Sequence, residues 1–119
     1  MRITNLQVYS HKGRNYHFSV NGTTITVAVI TNSQEPIGDN STLGNILEKI
    51  TQRVGMALDQ VNFALLERPQ GASDGFHYFY RLRTRVENGK VVVHGRDSDI
   101  LPRQLHKAFA VLFPNHPAP

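Results

Sequence analysis

Residues 76–96 read FHYFYRLRTRVENGKVVVHGR, and this stretch is predicted to form the β-hairpin around which the fold is built. Its two arms are rich in β-branched and aromatic residues, which favour strands. Between them lies Asn88-Gly89, a pair that accepts the positive φ angles of a two-residue type I′ turn. The register that this turn predicts pairs Glu87 with Lys90, Val86 with Val91, Arg85 with Val92, Thr84 with Val93 and Arg83 with His94.

The two faces of this hairpin differ in chemistry, because successive side chains of a strand alternate between faces. The apolar face is expected to lie on the core, and it carries Phe76, Tyr78, Tyr80, Leu82, Thr84, Val86, Val91 and Val93. The other face is expected to be a cationic surface, and it carries His77, Phe79, Arg81, Arg83, Arg85, Val92, His94 and Arg96.

Positive charge is concentrated in the hairpin. Residues 76–96 sum to +4, as does the whole 119-residue chain. The charged residues of this stretch are Arg81, Arg83, Arg85, Lys90, Arg96 and Glu87. Like charges along a strand repel, so the alternating arginines are unfavourable unless something offsets them. They form either a solvated face that discourages edge-to-edge aggregation or a site for an anion, such as nucleic-acid phosphates or an acidic protein patch.

The first half of the chain predicts a strand, a second hairpin and a helix. Arg2–Tyr9 alternates weakly and is predicted to be a strand, and Asn21-Gly22 predicts a hairpin turn without arginines beside it. Asp39-Asn40-Ser41 offers N-cap oxygens to a core-facing helix. The apolar stripe of that helix is Leu43, Ile46, Leu47, Ile50, Val54, Ala57 and Leu58, with Gly44 and Gly55 inside the helix.

The second half adds a strand before the basic hairpin and a helix after it. Val61–Arg68 is interpreted as a strand, because Asp59-Gln60 and the β-branched Val61 favour a break in the helix. Asp97-Ser98-Asp99 is predicted to cap a second helix, which Pro114 ends. The apolar side of this helix is Leu101, Leu105, Ala108, Phe109 and Leu112.

The predicted element order is β-β-β-α-β-β-β-α, which indicates an α+β fold built as a two-layer sandwich. An antiparallel sheet of five to six strands would carry both helices on one face, since a helix with one apolar stripe packs on an apolar sheet face. The basic hairpin face would then lie on the open side of the sheet. Residues 1–113 are predicted to form one domain, and residues 114–119 a C-terminal tail.

Composition and motifs restrict the function classes. The sequence contains no cysteine, which excludes disulfides and zinc–thiolate sites. Residues 1–10 lack the apolar core of a signal peptide, and no apolar run is long enough to span a bilayer. We therefore expect a cytoplasmic protein with no membrane partner. The motifs of P-loop, dinucleotide-binding, zinc-protease and serine-nucleophile sites do not occur, and we predict no cofactor, no metal and no catalytic residue.

The candidate binding residues are Phe79, Arg81, Arg83, Arg85, Lys90, His94 and Arg96. On an open sheet face, nucleic-acid bases stack on aromatic rings and guanidinium planes while cations hold the phosphates. The first hypothesis is therefore a non-enzymatic module that binds RNA or DNA. The second is an interaction protein, such as an inhibitor, an immunity-like protein or an accessory protein, that binds an acidic protein surface through the same residues.

Two chemical alternatives use other residues. A small metal-independent ribonuclease could use His17, His77 or His94 as acid and base beside the arginines. Asp97 and Asp99 lie two residues apart, a spacing that could hold Mg²⁺, although carboxylates at the start of a helix more commonly favour the positive end of its dipole.

Overall fold

The computed structural model of the chain describes residues 6–31, 40–69 and 78–100, together with Arg103 and Leu105. Within these ranges the elements are β1 (Gln7–His11), β2 (Arg14–Asn21), β3 (Thr24–Thr31), α1 (Asn40–Val54), β4 (Asn62–Pro69), β5 (Tyr78–Glu87) and β6 (Lys90–Ser98). A short 3-10 helix, Leu58–Gln60, precedes β4. The chain is thus a small α+β domain, and the strand predicted for Val61–Arg68 is confirmed.

The strands form one six-stranded sheet in chain order, β1-β2-β3-β4-β5-β6. Neighbouring strands are antiparallel except β3 and β4, which run parallel. The prediction of an antiparallel sheet is therefore wrong at this one pair. The two strands are parallel because α1 connects them. A helix that crosses back over the sheet allows β4 to run in the same direction as β3.

The main core lies between α1 and one face of the sheet. Its buried members are Tyr16, Phe18, Ile25, Val27, Leu43, Ile46, Leu47, Ile50, Val61, Phe63, Leu65, Leu82, Val91 and Val93. The predicted apolar stripe of the helix is confirmed from Leu43 to Ile50, but the helix ends earlier than predicted. Gly55 follows Val54 with φ +74°, the left-handed conformation in which helices commonly terminate.

The two Asn-Gly turns have different outcomes. Asn88 and Gly89 both have positive φ, and the predicted register is confirmed from the Glu87–Lys90 pair to the Thr84–Val93 pair. Between β2 and β3, the two central residues of the turn are instead Gly22 and Thr23, and Asn21 pairs with Thr24. The turn therefore lies one residue later than the Asn21-Gly22 pair predicts.

A second, smaller apolar cluster lies on the sheet face opposite α1. It consists of Ala28, Ala64, Leu66, Phe79 and Leu105, with Leu6 partly buried against them. Leu105 belongs to the predicted second helix, of which the structure describes Arg103 and Leu105, both helical. The prediction that both helices pack on one face is wrong for this part of the helix. The sheet face around Phe79 is consequently covered rather than open.

Some predictions lie outside the described residues. These are the N-terminal part of the strand Arg2–Tyr9, Asp39 of the predicted N-cap, Phe76, His77, most of the second helix and the boundary between the domain and residues 114–119. Within the described ranges, α1 is too short and too polar to cross a bilayer, and no other helix there qualifies.

Candidate binding surface on the β5–β6 hairpin

Three arginines form an exposed row on β5. Arg81, Arg83 and Arg85 project from the sheet face opposite α1, and 78, 56 and 56% of their side-chain surfaces are exposed. We call this row the arginine ladder. The three arginines are therefore at the surface, at the margin of the second apolar cluster, whereas Phe79 on the same face of β5 is buried.

Each arginine of the ladder forms an ion pair with a carboxylate of the same chain. The pairs are Arg81 Nε with Asp99 Oδ2 at 2.6 Å, Arg83 Nε with Asp97 Oδ2 at 3.4 Å, and Arg85 Nε with Glu87 Oε1 at 3.1 Å. Alternating charge along this surface offsets the repulsion between neighbouring arginines. The pairs are exposed, so they contribute little to stability, but they determine what the surface presents to a partner.

Asp97 and Asp99 owe these positions to the length of β6. β6 continues to Ser98, and Asp97 on β6 pairs with Arg81 on β5. The prediction that Asp97-Ser98-Asp99 caps a helix is therefore wrong for Asp97 and Ser98. Asp99 accepts a hydrogen bond from Arg81 and another from the Ile100 backbone N–H at 2.8 Å. These bonds, the one from Arg81 foremost, hold the pKa of the Asp99 carboxyl below its ordinary value of 3.8.

A β-bulge in β6 changes the faces predicted for its last residues. Thr84 pairs with Val93 but Arg83 pairs with Gly95, so His94 is an extra residue on β6. The predicted Arg83–His94 pair is wrong for this reason. One extra residue also inverts the alternation that follows it, and Arg96 lies opposite Leu82, on the α1 side of the sheet. The prediction that Arg96 shares the face of the ladder is therefore wrong.

Gly95 gives the Arg83 side chain its path across β6. A Cβ atom at this position would lie 2.5 Å from Arg83 Nη2 and 2.8 Å from Cζ. The guanidinium group therefore occupies the space that any other residue would fill, and from there its Nε reaches Asp97. Glycine within a strand commonly marks such a close approach.

Arg96 takes part in an ion pair on the α1 side. Its Nη1 donates to Glu67 Oε1 at 2.8 Å, and its guanidinium carbon lies 5.2 Å from the centre of the Tyr80 ring. The Glu67 side chain is only 8% exposed, and the pair connects β4 to β6 across β5. Burial, followed by the Glu67 carboxylate, raises the pKa of the Tyr80 hydroxyl. The ion pair between Arg96 and Glu67 stabilises the hairpin from the α1 side of the sheet.

The remaining predicted site residues are divided between the surface and the interior. Phe79 is 8% exposed and belongs to the second apolar cluster, so its ring is not available for base stacking. Lys90 is exposed opposite Glu87 at the end of the hairpin, and His94 is exposed at the bulge. The structure thus brings Lys90 together with the ladder and separates Phe79 and Arg96 from it.

The described residues do not form the predicted acid–base site or the predicted metal site. His17 lies on β2, where burial lowers the pKa of its imidazole, and His94 lies on β6. Four strand spacings separate them, about 19 Å, which is too far for one acid–base pair. His77 is outside the described residues. Within the described ranges, no three His, Asp or Glu side chains are grouped to hold a metal.

Sequence reasoning missed the acidic half of this surface. The two-residue spacing of Asp97 and Asp99 indicates that they share one strand face, and the bulge, which Gly95 signals, brings that face to the side of the arginines. Comparison of the chain with models of protein families, with curated proteins and with solved structures found no match. Function is therefore inferred from the side chains of the hairpin.

Proposed function

We propose that the chain is a non-enzymatic binding module whose arginine ladder meets the surface of a partner protein. The observation that carries this proposal is the pairing of each ladder arginine with a carboxylate of its own chain. With Lys90, the surface holds four basic and three acidic side chains, a net charge of +1. Interleaved charges of both signs complement a protein surface that also carries both signs, and they fix the register of docking.

A polyanion suits this surface less well. Nucleic acid presents a single sign of charge at regular intervals. It would be attracted by the three guanidinium groups and repelled by Glu87, Asp97 and Asp99, which are paired with them. Stacking of a base on Phe79 would require a ring that is buried in the second apolar cluster. Neither of the two contacts expected from a sheet-face nucleic-acid site is therefore favoured.

The ion pairs also prepare the ladder for binding. In each pair the contacting donor is the Nε–H, and the Nη groups of the same planar guanidinium carry four further donors. A guanidinium held by its own carboxylate loses less side-chain freedom when a partner binds. Carbonyl or carboxylate oxygens of a protein are suitable acceptors for those donors, and arginine is enriched among the residues that dominate protein interfaces.

Replacing Arg81, Arg83 and Arg85 by alanine is expected to abolish binding of the partner. The immobilised wild-type protein should retain a protein species from an extract of the source cells after nuclease treatment, and the triple variant should lose it. The fold should survive, because the three side chains are exposed and their ion pairs contribute little to stability. Circular dichroism of the variant checks this point.

The matched control removes the same charge elsewhere. Lys49 and Arg103 are exposed and become alanine, while Lys12 becomes asparagine because its φ of 51° is left-handed. This variant should retain the species as the wild type does. Equal loss in both triple variants would show non-specific charge binding, and loss on nuclease treatment would show a nucleic-acid bridge. Either result contradicts the proposal.

Nucleic acid is the second candidate partner, and one observation favours it. The three guanidinium groups and Lys90 are exposed on one surface, and exposed ion pairs are weak enough for phosphates to displace the carboxylates. An oligonucleotide titration separates the two candidates, because polyanion binding weakens steeply as the salt concentration rises.

A further inference from the structure

A cavity of about 440 Å³ lies on the sheet face opposite α1, beside the arginine ladder. It spans β3, β4 and β5, and its described lining includes Thr24, Thr26, Asn62, Ala64, Arg81 and Leu105. A volume of this size falls within the range of small-molecule sites. Arg83, Arg85 and Lys90 are not among its described lining residues, so the cavity is separate from the outer part of the proposed partner surface.

The cavity has one apolar wall and one polar wall. Ala64, Phe79 and Leu105 supply an apolar wall, since all three belong to the second apolar cluster. Thr24, Thr26 and Asn62 supply hydroxyl and amide groups, which both donate and accept hydrogen bonds. A wall of each kind suits an amphipathic molecule, with an apolar body against the first and a polar end against the second.

Hydrogen-bond donors at the cavity favour an anionic group. The ion pair with Asp99 offsets the charge of Arg81, so recognition of an anion rests on the remaining N–H donors of Arg81 and on a described lining that contains no carboxylate. The Arg81 Nε–H donates to Asp99, which restricts the orientation of the guanidinium, and its Nη groups carry further donors. Hydrogen bonds from arginine to an anionic oxygen are among the stronger ones in proteins. A small anion is therefore favoured over a cation of the same size.

We propose that this cavity binds a small amphipathic anion, an organic carboxylate or sulfonate with a compact apolar body. The apolar body lies against Phe79 and Leu105, and the anionic group faces Arg81. The cavity shares Arg81 with the proposed partner surface, but the two proposals are tested separately, since Thr24→Phe changes the cavity without removing a residue of the ladder.

Anilinonaphthalene sulfonate is a suitable probe, since it combines an aromatic body with one sulfonate. Titration of the folded protein is expected to give a saturable fluorescence increase at one site per chain. Arg81→Met should weaken this binding about tenfold, the loss of one charge-assisted hydrogen bond. Lys49→Met removes the same charge from the exposed side of α1, on the other face of the sheet, and should change the affinity less than twofold.

A second variant tests the position of the site. Thr24→Phe places a ring at the cavity from a half-buried strand position and should abolish saturable binding while the near-UV circular dichroism stays native. Saturable binding that survives Thr24→Phe, or that Arg81→Met and Lys49→Met weaken equally, would overturn the proposal. Lack of saturable binding to the folded wild type would overturn it as well.

Discussion

Gly44→Ala is expected to destabilise the protein by about 2 kcal/mol, although alanine is the better helix former by about 1 kcal/mol. Gly44 is the point at which α1 approaches the backbone of β6. A Cβ atom there would meet the Val91 carbonyl oxygen at a separation well under 3.0 Å, which real Cβ atoms essentially never show. The Cβ atom is fixed to the helix backbone and the oxygen belongs to the backbone of β6. The clash is therefore relieved only if the helix moves away from the hairpin and loosens the core.

Urea denaturation of the variant measures this effect as a fall in the free energy of unfolding. Asn45→Ala is the matched control, because Asn45 is the next residue of α1 and is exposed. Helix propensity alone should leave that variant as stable as the wild type or up to about 0.7 kcal/mol more stable. A Gly44→Ala protein that gains stability as Asn45→Ala does would show that the helix and β6 are not in close contact.

Arg96→Met is expected to lower the free energy of unfolding by about 2–3 kcal/mol. The change removes the ion pair with the buried Glu67 carboxylate and the cation over the Tyr80 ring. The methionine side chain preserves much of the apolar stem, so the loss is mainly electrostatic. Arg85→Met is the comparison within the same hairpin, and it should cost less than about 1 kcal/mol because its pair with Glu87 is exposed.

A double-mutant cycle with Glu67→Gln isolates the interaction between Arg96 and Glu67. We expect a coupling free energy of about 1–3 kcal/mol, since the two side chains are in contact. Additive effects of the two substitutions, within about 0.5 kcal/mol, would mean that the pair does not join β4 to β6.

Local signals in the sequence predicted the central hairpin well. Asn88-Gly89 fixes the turn and the register next to it, because both properties depend on the φ angles of two adjacent residues. The bulge at His94 was not predicted, although Gly95 within a strand is a recognised sign of one. Missing that single residue placed Arg96 on the wrong face, because everything beyond a bulge changes side.

Long-range packing explains the errors elsewhere. The run Phe63–Leu66 is apolar without alternation, which is typical of a strand covered on both faces, and this signal could have predicted the second apolar cluster. Which segment covers the second face is set by tertiary packing, and the Leu105 contact could not be read from helical periodicity. The Glu67–Arg96 pair likewise joins residues that are 29 positions apart, with no local signal for either.

On the candidate surface, the positions of the arginines could be predicted from the local sequence, but their acidic partners were not predicted. The arginines of the ladder were predicted from alternation alone, and their exposure agrees with that prediction. The ion pairs of Arg81 and Arg83 were not predicted, because Asp97 and Asp99 were expected to cap a helix. A row of ion pairs presents charges of both signs, which favours a protein partner over nucleic acid.

Asp99 and Asp97 offset the charges of Arg81 and Arg83, and an oligonucleotide titration of the Asp97→Asn/Asp99→Asn variant tests this most directly. With labelled single-stranded RNA or DNA at low salt, the wild type should bind more weakly than about 10⁻⁴ M. The variant should bind at least tenfold more tightly, with a strong salt dependence, because the ladder becomes cationic. Tight binding by the wild type that the two substitutions leave unchanged would contradict the account and identify the ladder as a nucleic-acid site.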